Sequence, residues 1–86
     1  MSYEIQWVPG AIKDLRRLDK SLIVRITRAI EAFAETGCGD VKRLTNAEGV
    51  YRLRVGKWRV RLRLVRTDRQ IILIQAVLPR GEAYKR

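Results

Sequence analysis

Histidine is absent from this chain, and cysteine occurs once, at Cys38. The first absence excludes histidine-based acid–base chemistry outright. The second excludes an internal disulfide, and a lone cysteine without histidine is too few for a zinc site. Cys38 reads as an ordinary thiol in a reducing compartment. No apolar run approaches the roughly 20 residues of a membrane-spanning helix. The opening MSYEIQWVPG lacks the basic start and apolar stretch of a secretion signal, so a cytoplasmic location away from membranes is expected. Internal repeats, low-complexity stretches and linkers are missing too. The 86 residues are therefore expected to form a single domain, 1–86, with one modest core.

What the chain has in excess is positive charge, and only in one half. Residues 1–41 hold six basic and six acidic side chains. Residues 42–86 hold thirteen basic against three acidic, so the whole net charge of +10 lies there. Such asymmetry points to nucleic acid or another polyanionic partner.

The charge concentrates in YRLRVGKWRVRLRL, residues 51–64. Alternation at period two is the pattern of a half-buried strand. Tyr51, Leu53 and Val55 alternate with Arg52 and Arg54. After Gly56-Lys57, Trp58, Val60, Leu62 and Leu64 alternate with Arg59, Arg61 and Arg63. Gly56-Lys57 is a Gly-X hairpin turn of type II′. That turn sets Val55 opposite Trp58, Arg54 opposite Arg59, Leu53 opposite Val60 and Arg52 opposite Arg61. One face is apolar, and the other is a ladder of guanidinium groups. Like charges placed directly opposite each other destabilise a sheet, and no acidic residue interrupts the row. A solvated outer face accounts for charge in general but not for this repulsion. A surface made to meet a polyanion does.

The rest of the chain builds a support for that hairpin. YEIQWV, residues 3–8, alternates as a first strand, and Pro9-Gly10 ends it. AIKDLRRL places Ile12, Leu15 and Leu18 on one stripe of a short helix. Asp19 is an N-cap for a second helix. There Leu22, Ile23, Ile26, Ala29, Ile30, Phe33 and Ala34 form a core-packing stripe, with Gly37 as the left-handed stop. CGDVKRLTNAEG reads as a loop. QIILIQAV, residues 70–77, is nearly all apolar, which suits an interior strand buried on both faces and ended by Pro79. The expected fold is α+β in two layers. Two N-terminal helices pack on one face of a small, mostly antiparallel four-stranded sheet, in the order β-α-α-β-β-β. The arginine ladder is expected on the open face.

This order, with KRL and N..GVYRLRVGKWRVR followed by VLPRGEAYKR, resembles the RelE/ParE superfamily, the toxin halves of bacterial type II toxin–antitoxin pairs. The most specific part is YRLRVG.WRV together with Arg80, Glu82 and Tyr84. The resemblance implies one of two activities. RelE-like members cleave messenger RNA, typically in the ribosomal A site. ParE-like members inhibit DNA gyrase and generally lack the nuclease residues. Carried onto this sequence, the nuclease positions fall on Arg52, Arg54, Arg59, Arg80 and Tyr84, all filled by the right general type, which favours the RelE-like branch. Two departures stand out. The hairpin positions, often lysine in that branch, are arginine here, and Leu78-Pro79 replaces the common Gly-His or Gly-Lys before the late arginine. No extra C-terminal helix is expected after Tyr84.

Metal-free RNA cleavage uses the 2′-OH as nucleophile on the adjacent phosphate. The enzyme must hold the nucleotide in line, neutralise the transition-state charge and move two protons. Guanidinium forks on Arg52, Arg54, Arg59 and Arg80 suit the first two tasks. Arginine, with a pKa above about 12, suits the third poorly. The proton carriers on offer are Tyr84, Glu82, Lys57 and Lys85. Tyr84 is the choice that follows from the resemblance, because surrounding cations favour the phenolate. Read from composition alone, Tyr84 is as well explained as a tail aromatic packed on the sheet. Glu82 fits better as a group that orients an arginine. Trp58, Trp7 and Tyr51 read as core or partner contacts. Lys42, Arg43, Lys57, Arg61, Arg63 and Lys85 would add sequence-independent phosphate contacts. No metal or cofactor is called for.

The expectation is therefore a ribosome-dependent mRNA endonuclease. The alternatives are a gyrase inhibitor of the same fold and a non-catalytic RNA-binding module. The last lacks the exposed aromatic stacking positions of single-strand binders. The resemblance also implies an antitoxin partner, whose acidic amphipathic segment would fold over the basic site, and a toxin–antitoxin assembly on operator DNA.

Overall fold

Asp19 and Gly37 fix the two ends of the longest helix. The Asp19 carboxylate accepts a hydrogen bond from the Leu22 amide at 2.9 Å and one from the Ser21 hydroxyl at 2.7 Å. Gly37 adopts φ 77°, and its N–H donates to the Phe33 carbonyl at 2.9 Å. Only glycine takes that left-handed stop without steric cost. Between them runs α2, Lys20–Thr36, preceded by α1, Pro9–Arg16, with Pro9 in its first turn. The computed structural model describes residues 2–44 and 49–81. Its strands are β1 (Glu4–Trp7), β2 (Val41–Arg43), β3 (Val50–Val55), β4 (Trp58–Arg66) and β5 (Gln70–Pro79).

The strands form one sheet of five, in the order β1-β5-β4-β3-β2. Only the β1–β5 pair is parallel. The α+β layering is as expected, but the four-stranded count is not. The additional strand is β2, inside the segment read as a loop. It has three residues and one apolar side chain, too little for a period of two to show. β5 lies in the interior of the sheet between β1 and β4, and it runs on through Leu78 to Pro79.

α2 buries Ile26, Ile30, Phe33 and Ala34 against Leu53, Val55, Val60, Leu62, Ile72 and Ile74. On α1 the inward residue is Ala11, fully buried, while Ile12 is 37% exposed. The stripe therefore runs Ala11, Leu15, Leu18, closer to the true helical pitch than spacing by three from Ile12. A small residue at Ala11 lets the helix lie close to β5. Beyond Ile74, where pairing with β1 ends, the Asp14 carboxylate accepts the Val77 N–H at 3.0 Å. It thereby covers backbone that would otherwise form an open edge.

β5 also contains a bulge. Arg61 pairs with Ala76, but Leu62 pairs with Ile74, so Gln75 is the additional residue. The bulge lets Ile72, Ile74 and Val77 all face the helices. Ala76 and Leu78, both buried, fall on the opposite face with the arginines.

The Asp19 cap carries a pH signature. The Leu22 amide, then the Ser21 hydroxyl, hold its carboxyl below the ordinary value of 3.8. A depressed carboxyl stabilises the fold above its unfolded pKa and loses that contribution as pH falls through the folded value. Asp19→Asn keeps a capping oxygen that does not titrate. Urea midpoints measured against pH are expected to fall less steeply below 3.8 for Asp19→Asn than for the native chain.

Candidate active site

The β3–β4 register pairs Arg54 with Arg59 and Arg52 with Arg61, with Leu53–Val60 between them and Val55–Trp58 at the turn. Gly56 takes φ 60°, the positive value that the first position of a II′ turn requires. Since Leu53, Val55, Val60 and Leu62 enter the core, the arginines emerge on the face away from the helices. Two cross-sheet rows result. One runs Lys42, Arg52, Arg61, Ala76, and the other runs Arg54, Arg59, Leu78. Arg80 joins the second row from β5, because its backbone N–H donates to the Lys57 carbonyl at 2.9 Å.

Arg59 is the centre of this group, and it departs from the exposed ladder expected on the open face. It is only 6% exposed, whereas Arg54 is exposed and Arg52 and Arg61 are half-buried. β4 is the middle strand, so neighbours on β3 and β5 flank Arg59 on both sides. Its Nη1 turns back to donate to the carbonyls of Gly56 (3.0 Å) and Trp58 (3.1 Å). Its Nε is buried, with no hydrogen-bond partner among the described residues. Burial, then the charges of Arg52, Arg54 and Arg80, push the Arg59 guanidinium below its ordinary pKa, and Asp40 pushes weakly the other way. A guanidinium is not deprotonated in proteins, so Arg59 stays charged. The covering layer is thin in so small a domain, so the repulsion is moderated by water rather than expressed at full interior strength.

The remaining predicted residues divide. Lys57 is exposed in the turn, and Lys42 and Arg63 are exposed on their strands. Arg43 pairs with Tyr51 and so lies on the helix-facing side, apart from the rows. Tyr84, Lys85 and Glu82 lie outside the described residues. Trp58, Trp7 and Tyr51 pack partly buried against the core. Among the described residues no three side chains of metal-ligating type gather together, and no helix is long and apolar enough to cross a membrane.

One member of the cluster gave no sequence signal. Asp40 sits 3.3 Å from the Arg54 Nε through its Oδ2, and its backbone carbonyl accepts the Arg54 N–H at 2.8 Å. The β2–β3 pairing brings it there, and that pairing was not legible. Both side chains are more than half exposed, so the ion pair adds at most about 1 kcal/mol. Its larger effect is to subtract negative charge from the meeting surface when removed. Asp40→Asn is expected to tighten non-specific RNA binding severalfold while stability moves by no more than about 0.5 kcal/mol; a filter-binding titration and a urea melt read the two effects separately.

Comparison with known proteins places this architecture. A profile of the family described as ParE toxin of type II toxin-antitoxin system, parDE, matches residues 5–84. RelE1 of Methanocaldococcus jannaschii, described as a toxin, is 33% identical over 89 aligned positions, covering 99% of this chain and 98% of that one. The archaeal RelE–RelB complex from Pyrococcus horikoshii superposes with a TM-score of 0.77 at 25% identity, covering 94% of this chain and 98% of that one. The isolated RelE toxin of E. coli shares the fold, with a TM-score of 0.78 at 15% identity over 98% of this chain and 93% of that one. The chain belongs to the RelE/ParE superfamily of type II toxin–antitoxin toxins, on its RelE-like branch.

Proposed function

We propose that this toxin is a metal-independent, ribosome-dependent mRNA endonuclease that uses the RNA 2′-OH as nucleophile. The observation that carries the reading is the convergence of Arg52, Arg54 and Arg80 on a buried Arg59. Four like charges held together oppose folding, and a phosphate linkage seated among them relieves the repulsion. A transition state with more negative charge than the ground state relieves it further, which is the condition for catalysis. Arg54, Arg59 and Arg80 would bracket the phosphate, and Arg52 would steady its neighbour. Tyr84, four residues beyond Arg80, would carry the proton to or from the reacting oxygens. Lys42, Lys57, Arg61, Arg63 and Lys85 would hold the flanking backbone.

An antitoxin is part of the same reading. The solved relatives from Methanococcus jannaschii and Pyrococcus horikoshii are RelB–RelE complexes. On this chain an acidic amphipathic segment would cover the cationic rows. Toxin and antitoxin together would form the assembly that meets operator DNA.

A second reading, gyrase inhibition, has one observation in its favour: the matching family profile carries the ParE name. Expression in cells separates the two. Mapped mRNA ends are expected to show in-frame cuts that vanish in Arg80→Ala and Tyr84→Phe. Intact transcripts with arrested gyrase supercoiling would establish the second reading instead.

A further inference from the structure

We propose that a second RNA-binding groove lies at the far end of the sheet and holds the strand several nucleotides away from the cut. The proposal rests on the nuclease reading above. β4 continues to Arg66, whereas its partner β3 begins only at Val50. The Leu64 N–H closes the last rung on the Gly49 carbonyl at 2.9 Å, and Gly49 itself takes φ 75°. This leaves an open groove of about 670 Å³. Arg43 from β2, Tyr51 from β3, and Arg63 and Arg66 from β4 line it, and no carboxylate is among its described lining residues.

Three properties suit this groove to single-stranded RNA. Its volume is that of a site for a nucleotide-sized group rather than a lone phosphate. One of its cations is anchored: the Arg66 guanidinium lies 5.9 Å from the centre of the Tyr3 ring, and Tyr3 itself is buried in the core. Tyr51, part-buried against the core, also lines the groove, so an aromatic group lies among its guanidinium groups.

The groove meets the arginine row at the edge of the sheet: Arg43, Tyr51 and Arg66 belong to the helix-facing side, and Arg63 belongs to the open face. Arg59, Arg61 and Arg63 recur every second residue on the same face of β4, and Arg63 borders the groove. Four residues of strand separate Arg59 from Arg63, about 13 Å, so a strand leaving the cut would follow the row to Arg63 and pass round the sheet edge into the groove. The row supplies a cation at each step between them.

The test compares two RNAs made uncleavable by 2′-deoxy substitution at the cut. One is short and spans the cut alone, and one is roughly ten nucleotides long. Binding is followed by fluorescence anisotropy at several salt concentrations for the native chain, Arg43→Gln/Arg66→Gln and Arg43→Lys/Arg66→Lys, with melting curves to verify folding. Loss of two phosphate contacts is expected to weaken the long RNA severalfold and to make its salt slope shallower by about 1.4. The short RNA should bind as before, and the lysine variant should keep most of the slope. A long RNA bound equally by the glutamine variant and the native chain overturns the groove, and leaves the nuclease reading intact where the native chain still cleaves. Equal weakening of both RNAs overturns it as a separate site. A change confined to binding of an acidic protein overturns it in favour of protein docking. Failure of the native chain to bind either RNA overturns the groove, while cleavage on programmed ribosomes decides the nuclease reading by itself.

Discussion

Arg59→Met is expected to remain folded, within about 1 kcal/mol of the native stability, and to lose cleavage by about 10²–10³-fold. Two opposing effects set the first figure. The substitution forfeits the hydrogen bonds to the Gly56 and Trp58 carbonyls, each worth on the order of 1 kcal/mol net. It also removes a covered charge that three neighbouring guanidiniums repel, and methionine refills much of the stem's volume. No carboxylate among the described residues reaches Arg59 within ion-pair distance, so no orphaned anion is left behind. A structural keystone would behave otherwise, because breaking a buried pair costs about 3–5 kcal/mol. Urea denaturation and single-turnover cleavage on programmed ribosomes read the two effects. A collapse in stability would make Arg59 a folding residue and remove it from the site.

Arg80→Ala is the second large effect. The side chain is exposed, and what anchors this residue is its backbone N–H on the Lys57 carbonyl, which alanine retains. Stability is expected to change by no more than about 0.5 kcal/mol. Cleavage is expected to fall by about 10²–10³-fold, the usual consequence of removing one fixed donor from a developing oxyanion. Arg80→Lys should recover part of the loss, since it keeps the charge but not the two-pronged geometry. Full activity in Arg80→Ala would confine the chemistry to β3 and β4.

These positions were legible in the sequence to different degrees. The pairing of Arg54 with Arg59 and of Arg52 with Arg61 followed from alternation and a Gly-X turn, because a hairpin's register is a local property. Asp19 and Gly37 were legible for the same reason: caps act within one turn of helix. The burial of Arg59 was not, since it depends on β5, which lies beyond β4 and whose bulge at Gln75 leaves no trace in a nearly uniform apolar run. β2 and the Asp40 that precedes it were hidden by brevity, and so was Asp14, whose partner Val77 is distant in sequence. The place of Arg80 came only from the family resemblance; that it lies beside the turn is a consequence of tertiary pairing.

Central to this reading, the arginine cluster holds the phosphate and neutralises its growing charge while the RNA's own 2′-OH attacks it. The most direct measurement presents programmed ribosomes with one message in two forms, alike except that the second carries 2′-deoxyribose at the mapped cut. Scission of the all-ribose message is expected, and none of the substituted one at that position. Equal scission of both, or of neither, would contradict this reading.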